Sequence, residues 1–576
     1  MDYIESYNYW LNDPYFDEAT KNELRTISDD ADEIKERFHK NLEFGTGGLR
    51  GVIGAGANRM NIHTVSKATQ GLCNYILKQR DYKKEMGVVI AYDSRRFSKE
   101  FAERAALVIA GNGIKAYVFP ELTPTPALSF AIRRLNCISG IVITASHNPP
   151  EYNGYKAYWS DGGQVPYPRD EEIINEVDAI RSFSDIVTAD RAAAEADGLF
   201  NIVPRYVTDD YIETVKAQCI NKNIVSDGGG SLKIVYTPLN GTGNAPVRRV
   251  LRELGFANVY VVPEQTDPDP DFTTIGYPNP EDPKAFILAK KLAAETDADI
   301  LIATDPDADR VGVVAKTSGG EYEHLSGNMT GTLIVNYILS QKKANGTLPS
   351  DAAVVSTIVS TKITREITKT YGAAYFDVLT GFKYIGEKIK EFEASGAHTY
   401  VFGFEESFGY LPGPYARDKD GVATAALICE IAAHYKLRGM TLSDGLVEIF
   451  EKYGYYKEST VTVTHGGIEG AARIASIMNK LRGRYPETIG GRAVTEIRDY
   501  KKSLARNMRA GTDHKLTLPV SDVLYYETDD DSWFCVRPSG TEPKIKIYFG
   551  VRAATAAGAD AKIKSLTEDA TAFLDE

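Results

Sequence analysis

The chain has 576 residues, too long for one ordinary domain, and domain-size statistics predict about three to five. Hydrophobic residues make up 43% and charged residues 25%, an ordinary globular composition, and the formal charge of −13 argues against a nucleic-acid binder. Net acidity leaves anionic substrates open, because Arg, Lys and a metal clustered in a cleft reverse the local field. No run is long and apolar enough to suggest a bilayer span. The acidic start, Met1-Asp-Tyr-Ile-Glu-Ser, reads as neither secretory signal nor transit peptide. Cys73, Cys137, Cys219, Cys429 and Cys535 are scattered without C-x-x-C spacing, so a disulfide framework and structural zinc are not expected. The expected setting is the cytoplasm, without membrane or nucleic-acid partners.

Residues 1–40, including the acidic helix-like stretch Asp29–Lys40, carry no motif. Next comes Gly45-Thr-Gly-Gly-Leu-Arg-Gly, which follows no clear strand and so is not a dinucleotide fingerprint. It can place Arg50 against phosphate, or serve as a linker. Walker A spacing is absent, so ATP use is not indicated.

A layout of strand, helix, strand, helix, strand then occurs three times. The first copy uses apolar runs at Gly87–Tyr92, Ala116–Pro120 and Ile138–Ile143, with turns at Asp93-Ser-Arg-Arg and Thr123-Pro-Thr-Pro, and ends in Thr144-Ala-Ser-His-Asn-Pro. The second uses Leu232–Tyr236, Val259–Pro263 and Ile300–Ala303, and ends in Asp305-Pro-Asp-Ala-Asp-Arg. The third uses Ala352–Val359, Ala374–Val378 and His398–Phe402, and ends in Gly403-Phe-Glu-Glu-Ser-Phe-Gly. Such alternation predicts α/β domains with mixed, largely parallel sheets, whose ligands sit beyond the carboxyl ends of the strands. From about Tyr455 the pattern changes to an alternating strand (Glu458–Thr464), a helix (Ile468–Leu481), a hairpin (Val523–Thr528 with Ser532–Val536) and a last helix (Ala559–Leu574). This predicts a C-terminal α+β domain. The expected division around a central cleft is 1–205, 206–322, 323–454 and 455–576.

Each strand-end loop has a chemistry. Asp305, Asp307 and Asp309, at i, i+2, i+4 after a buried strand, repel one another unless a cation joins them, and hard oxygens suit Mg²⁺. An EF-hand is excluded, since Arg310 and Lys316 stand where it needs Gly and Glu. The plain alternative is a solvated acidic turn. Ser146 beside His147 is a candidate nucleophile and base, although neighbours in an extended strand point apart and the G-x-S-x-G elbow is missing. Arg537-Pro-Ser-Gly-Thr combines a guanidinium, the hydroxyls of Ser539 and Thr541, and Gly540, a phosphate cradle in composition. Glu405 and Ser407 suit sugar hydroxyls.

Taken together, Thr144-Ala-Ser-His-Asn-Pro with Tyr152-Asn-Gly-Tyr-Lys, Asp305-Pro-Asp-Ala-Asp-Arg, Glu405-Glu-Ser and Arg537-Pro-Ser-Gly-Thr-Glu-Pro resemble, in order and spacing, the four functional loops of the α-D-phosphohexomutase superfamily. The entry loop before Arg50, Thr380-Gly-Phe-Lys and Gly403–Tyr410 resemble its longer phosphoglucomutase and phosphopentomutase branch. The resemblance implies four domains around a cleft and Ser146 as phosphoryl carrier and metal contact. It implies Mg²⁺ on Asp305, Asp307 and Asp309, and glucose 1,6-bisphosphate as activator and intermediate. The substrate implied is glucose 1-phosphate, with pentose and mannose phosphates as alternatives. Arg50, Arg310, Thr380, Lys383, Glu405, Ser407, Arg537, Ser539, Gly540 and Thr541 would hold it. His147 and Lys156 are the candidate bases; Lys156 would need its pKa lowered, which cationic neighbours can do. A monomer or homodimer is expected. Two departures stand out: Phe408 follows Ser407 where many relatives carry a small residue, and Lys546 stands where the family often carries Arg. A phosphatase built on the same serine and a non-catalytic sugar-phosphate sensor are the rival readings.

Overall fold

The computed structural model describes residues 2–43, 48–464, 469–538 and 544–575. Three successive α/β units share one strand order, in which the third strand lies beside the first and the first beside the second, all parallel. In the first unit these are Ser139–Ile143, Gly87–Tyr92 and Lys115–Val118. In the second they are Ile300–Thr304, Lys233–Thr237 and Asn258–Val261. In the third they are Thr399–Glu405, Ala352–Thr357 and Ala374–Val378. The central strands Gly87–Tyr92, Ile300–Thr304 and Ala352–Thr357 are buried along their whole length, as a sheet covered on both faces requires.

Every third strand runs into its polar loop and returns as an antiparallel neighbour: Tyr152–Trp159, Val311–Lys316 and Gly409–Pro412. Each site loop is therefore the tip of a hairpin, pinned by ladder hydrogen bonds on both sides. The sequence pattern places the loops at strand ends but does not reveal these return strands.

The fourth unit is an antiparallel sheet running Tyr455–Thr464, Lys544–Ala553, Trp533–Pro538, Leu524–Thr528, Arg492–Asp499, Leu504–Asn507 and Thr512–Lys515. The helices Glu469–Arg482 and Ala556–Asp575 cover one face, where Met478, Phe534, Phe549 and Leu566 form its core. On the other face Tyr525, Trp533, Cys535 and Tyr548 pack against Ile358, Val359 and Leu379 of the third unit. The second and third units share the helix Gly421–Leu437, apolar around nearly its whole circumference and correspondingly buried among both.

The first forty residues form three helices, Tyr3–Asn12, Glu18–Thr26 and Ala31–Phe38, N-capped by Asp2, Asp17 and Asp30. Trp10 stacks on Phe16 and meets Phe38 edge-on. Arg37 then donates to Glu23 and to the Ala55 carbonyl, fastening this arm to the chain that follows Arg50.

Candidate active site

Ser146 sits at the tip of the first hairpin in a left-handed conformation, φ 53°. That sharp turn overcomes the extended geometry that would separate neighbouring side chains. Ser146 Oγ lies 3.1 Å from His147 Nδ1 and donates to Asp305 Oδ2 at 2.7 Å. The hairpin strands cross closely behind it. A Cβ on Gly154 would stand 2.5 Å from the Thr144 carbonyl oxygen, so this position of the Tyr-Asn-Gly-Tyr-Lys motif has no room for a side chain. Arg50, on the strand Gly48–Val52, lies opposite Gly154 and donates to Asn148 Oδ1 at 3.3 Å.

At the tip of the second hairpin, Asp305 Oδ1 accepts the backbone N–H groups of Asp309 and Arg310 at 3.1 and 3.0 Å, curling the loop on itself. Asp305, Asp307 and Asp309 are all buried, and each offers an oxygen within 4.8 Å of the others. Asp307 Oδ1 and Asp309 Oδ1 are buried without a hydrogen-bond partner. Buried acceptors left unmatched are costly, and a divalent cation with hard oxygen preference meets that need. The residues therefore fit a metal ion, and the solvated-turn alternative does not hold.

The outward charge of this cluster is balanced by two lysines. Lys156 Nζ lies 2.7 Å from Asp307 Oδ2 and 3.4 Å from Asp309 Oδ2. Lys419 Nζ lies 3.1 Å from Asp309 Oδ2 and 3.3 Å from Asp418 Oδ1. Burial pushes the Asp305 carboxyl well above its ordinary range, reinforced by repulsion from Asp307 and Asp309. Burial acts the same way on Asp307, but the Lys156 ammonium and the Thr125 hydroxyl outweigh it and hold that carboxyl far below. For Lys156 burial works downward, yet Asp307 and Asp309 prevail and raise it. The expectation that cationic neighbours lower Lys156 is thus corrected: its partners here are carboxylates. His147 is the group driven down, first by burial and then by Arg310 and Arg50, and is neutral near pH 7.

The third hairpin brings Glu405 and Ser407 to the same place. Glu405 is buried, with Lys419 at 4.0 Å and Arg310 and Ser407 nearby. Glu406 accepts from Thr357 Oγ1 at 2.8 Å, and burial followed by repulsion from Glu405 lifts its pKa to about 7. Phe408 explains its own departure from the pattern. It takes φ 63° where glycine would be easiest, stacks on His324, and its carbonyl accepts the Val311 N–H at 3.1 Å, tying the third hairpin to the second.

Arg310 is paired with Glu281. Thr380 follows the strand Ala374–Val378, and Lys383 lies in the first turn of the helix Phe382–Ser395, within electrostatic reach of Arg537. Arg537 is the last residue but one of the strand Trp533–Pro538 and feels both Lys383 and Glu406. Lys546 lies opposite Arg537 in the sheet and is exposed. Ser539, Gly540 and Thr541 lie outside the described residues, as do Gly45, Thr46 and Gly47.

Several partners were not singled out in the sequence. Thr125 of the Thr-Pro-Thr-Pro turn donates its hydroxyl to Asp307 Oδ2 and its N–H to the Asp307 carbonyl, both at 2.9 Å. Lys419 comes from Arg417-Asp-Lys-Asp, four charged residues immediately before an apolar helix and all buried. A charge run abutting a buried helix was the available signal, because such a run must find partners inside.

Three repeated α/β units whose equivalent hairpins present a serine, a carboxylate triad and a Glu-x-Ser loop to one another, with a fourth α+β unit alongside, define an α-D-phosphohexomutase. The sequence agrees unit by unit with the phosphoglucomutase/phosphomannomutase alpha/beta/alpha domains I, II and III over residues 41–183, 209–320 and 326–453, and with the C-terminal domain over 483–562. The chain belongs to the phosphoglucomutase/phosphomannomutase family. It is 36% identical over 521 residues to phosphoglucomutases of Staphylococcus aureus strains, covering 90% of this chain and 91% of theirs. The fold is also that of parafusin, a phosphoglucomutase from Paramecium, in its open form (TM-score 0.68, 19% identity, 93% of this chain and 95% of that one). It is shared with a phosphoglucomutase/phosphomannomutase family protein from Burkholderia thailandensis (TM-score 0.64, 20% identity, 92% and 96%).

Proposed function

We propose that this enzyme interconverts glucose 1-phosphate and glucose 6-phosphate, with Ser146 as phosphoryl carrier and glucose 1,6-bisphosphate as intermediate and activator. The observation that carries this reading is the contact of Ser146 Oγ with Asp305 at 2.7 Å, beside two carboxylate oxygens that lack partners. The Staphylococcus aureus relatives, named phosphoglucomutases, support the glucose substrate.

Asp305, Asp307 and Asp309 would hold Mg²⁺, which when bound supplies positive charge to the phosphoryl oxygens beside Ser146. In the forward direction, the substrate's own phosphate rests on the Arg537–Thr541 loop with Lys383 and Thr380 beside it. Its 6-hydroxyl then faces the phosphorylated Ser146. The Ser146 O–P bond breaks as the O–P bond to the sugar oxygen forms, and the serine oxygen keeps the electron pair. The hydroxyl proton goes to His147, which is neutral; Lys156, held as an ammonium by Asp307 and Asp309, has no lone pair to take it and instead steadies the carboxylates. Arg50 and Arg310 orient the phosphoryl oxygens. The bisphosphate turns end for end, Ser146 takes back the other phosphoryl group by the reverse step, and glucose 6-phosphate leaves. Glu405 and Ser407 accept sugar hydroxyls in both orientations. Alignment of this kind can contribute about 7–11 kcal/mol to the barrier reduction. We take the working unit to be a monomer or homodimer, divided at 205/206, 322/323 and 454/455, acting on free sugar phosphates in the cytoplasm. Among the described residues no helix is long and apolar enough to cross a membrane.

A coupled assay for glucose 6-phosphate, with Mg²⁺, glucose 1-phosphate and a trace of glucose 1,6-bisphosphate, tests this reading. Robust turnover in wild type and near-complete loss in Ser146→Ala is the expected result. Faster turnover of ribose 1-phosphate or mannose 1-phosphate would move the assignment to those sugars. Steady release of inorganic phosphate would make the protein a phosphatase, and full activity in Ser146→Ala would remove the serine carrier.

A further inference from the structure

We propose that Asp93, Arg95 and Thr144 are positioning residues that fix Ser146 for phosphoryl transfer, an inference that rests on Ser146 being the carrier. Asp93 and Arg95 follow the first strand of the first unit and form an ion pair, Nε to Oδ2 3.3 Å, with both side chains wholly buried. The Arg95 guanidinium fans across the Ser146 hairpin tip. Its Nη2 donates to the carbonyl oxygens of Ser146 at 2.6 Å and of Asn148, and its Nη1 to those of Pro149 at 2.8 Å and Tyr152 at 3.1 Å. One side chain therefore holds four backbone acceptors on both arms of the loop, an arrangement the planar guanidinium fork permits and an ammonium does not.

Asp93 reaches the serine by a second route. Its Oδ2 accepts from Thr144 Oγ1 at 2.6 Å, and Thr144 Oγ1 in turn accepts the Ser146 N–H at 2.8 Å. Its Oδ1 accepts the Arg95 N–H at 3.0 Å and Ser98 Oγ at 2.7 Å. Ser146 is thus bonded at its N–H through Thr144 and at its carbonyl through Arg95, the two backbone groups that set its left-handed φ. That φ is unfavourable for serine, and it directs Oγ at Asp305. A buried ion pair is seldom retained for stability, since apolar residues of like volume serve as well or better. Here its function is geometric, and none of the three side chains needs to touch substrate.

The test compares wild type, Thr144→Val, Thr144→Ser and Arg95→Lys. Thr144→Val keeps the shape and removes the hydroxyl relay. Steady-state turnover of glucose 1-phosphate, single-turnover phosphorylation of Ser146 by glucose 1,6-bisphosphate (read by intact mass) and thermal melting are measured on each. Misplacement by about 1 Å lowers rate about 100-fold. Thr144→Val is expected to lose about 10- to 100-fold in kcat and in the phosphorylation rate, with KM changed less than about twofold. Thr144→Ser is expected to restore most of the rate. Arg95→Lys is expected to lose about 100-fold in kcat despite keeping the charge. Thr144→Val that melts lower yet turns over at the wild-type rate would reduce these residues to a structural part and overturn the inference. If Arg95→Lys does not fold, the Thr144 pair decides alone. If Ser146→Ala remains active, the carrier reading fails and this inference with it. If activity requires Ser146 but Thr144→Val and Arg95→Lys are unimpaired, this inference alone fails.

Discussion

A cation bound at the carboxylate triad would stabilise the fold by an amount that follows from the triad's geometry. Two buried oxygens, Asp307 Oδ1 and Asp309 Oδ1, lack partners, and an unmatched buried acceptor costs about 1–3 kcal/mol. A metal ion that binds the native triad and not the unfolded chain adds RT ln(1 + [L]/Kd), about 2.7 kcal/mol at a hundredfold excess over Kd. For cooperative units of 150–250 residues each kcal/mol moves the melting midpoint about 2–4 °C, so Mg²⁺ should raise it about 5–10 °C over the chelated protein. Asp307→Asn preserves volume but cannot accept from Lys156 and Thr125 and also offer an oxygen to a cation, because one end of the amide is a donor. Its Mg²⁺-dependent shift should fall to about 1 °C or less. Differential scanning calorimetry of both proteins, with chelator and with excess Mg²⁺, checks this without an activity readout. An equal shift in the two proteins, or none in wild type, would refute the triad as a metal site.

Three further outcomes are expected. Thr125→Val should weaken Mg²⁺ binding about 10- to 100-fold by calorimetric titration, because it removes the hydroxyl that orients Asp307, and Thr125→Ser should recover most of the affinity. Glu406, lifted from 4.5 to about 7, binds more protons folded than unfolded between those values. Stability therefore falls as pH rises through that window, by on the order of 3 kcal/mol. Glu406→Gln should then melt like wild type near pH 4.5 and several degrees higher at pH 8, and a constant difference across that range would contradict the assignment. Phe408→Ala should cost about 3–4 kcal/mol by loss of the buried ring against His324. Phe408→Gly should cost about 1 kcal/mol less, despite removing more atoms, because it releases the left-handed φ of 63°. Urea denaturation compares the two.

Much of the fold was legible because parallel core strands are apolar on both faces. Gly87–Tyr92, buried throughout, has in the structure the bounds read from the sequence, and so does Ala374–Val378, although it is a half-buried edge strand that carries Asp377. The return strands were not. Tyr152–Trp159 carries Asn153, Gly154 and Lys156 among aromatics, so the site motif masks the strand pattern, and Gly409–Pro412 is too short to show one. Ser146, Asp305, Asp307, Asp309 and Glu405 stand out in the sequence as candidates because hydroxyls and carboxylates follow apolar strands there, and the fold brings the loops that carry them together. Lys419 and Thr125 were not legible as site residues, since what defines them is a partner more than a hundred residues away in the chain, Asp309 for one and Asp307 for the other. Lys156 was recognised by place, but the sign of its environment depended on which charges surround it, and only the folded chain supplies that.

The three repeats explain how one topology accommodates three chemistries. Each hairpin tip is held by its own ladder and is then bonded to a neighbour from a different repeat. Ser146 reaches Asp305, Thr125 reaches Asp307, Val311 N–H reaches the Phe408 carbonyl and Gly421 N–H reaches that of Ala308. No tip is placed by its own unit alone. Ser146, Thr125, Lys156 and Lys419 all meet the one carboxylate triad, so substitutions among them should fail to add, with coupling of about 0.5–3 kcal/mol. Thr125 and Lys419 approach the triad from the first and third units and meet it at adjacent carboxylates. A double-mutant cycle on Mg²⁺ affinity with Thr125→Val and Lys419→Met should therefore show coupling. Strict additivity would mean that each lobe sets its own ligand independently, and that the contacts between hairpin tips are a by-product of packing.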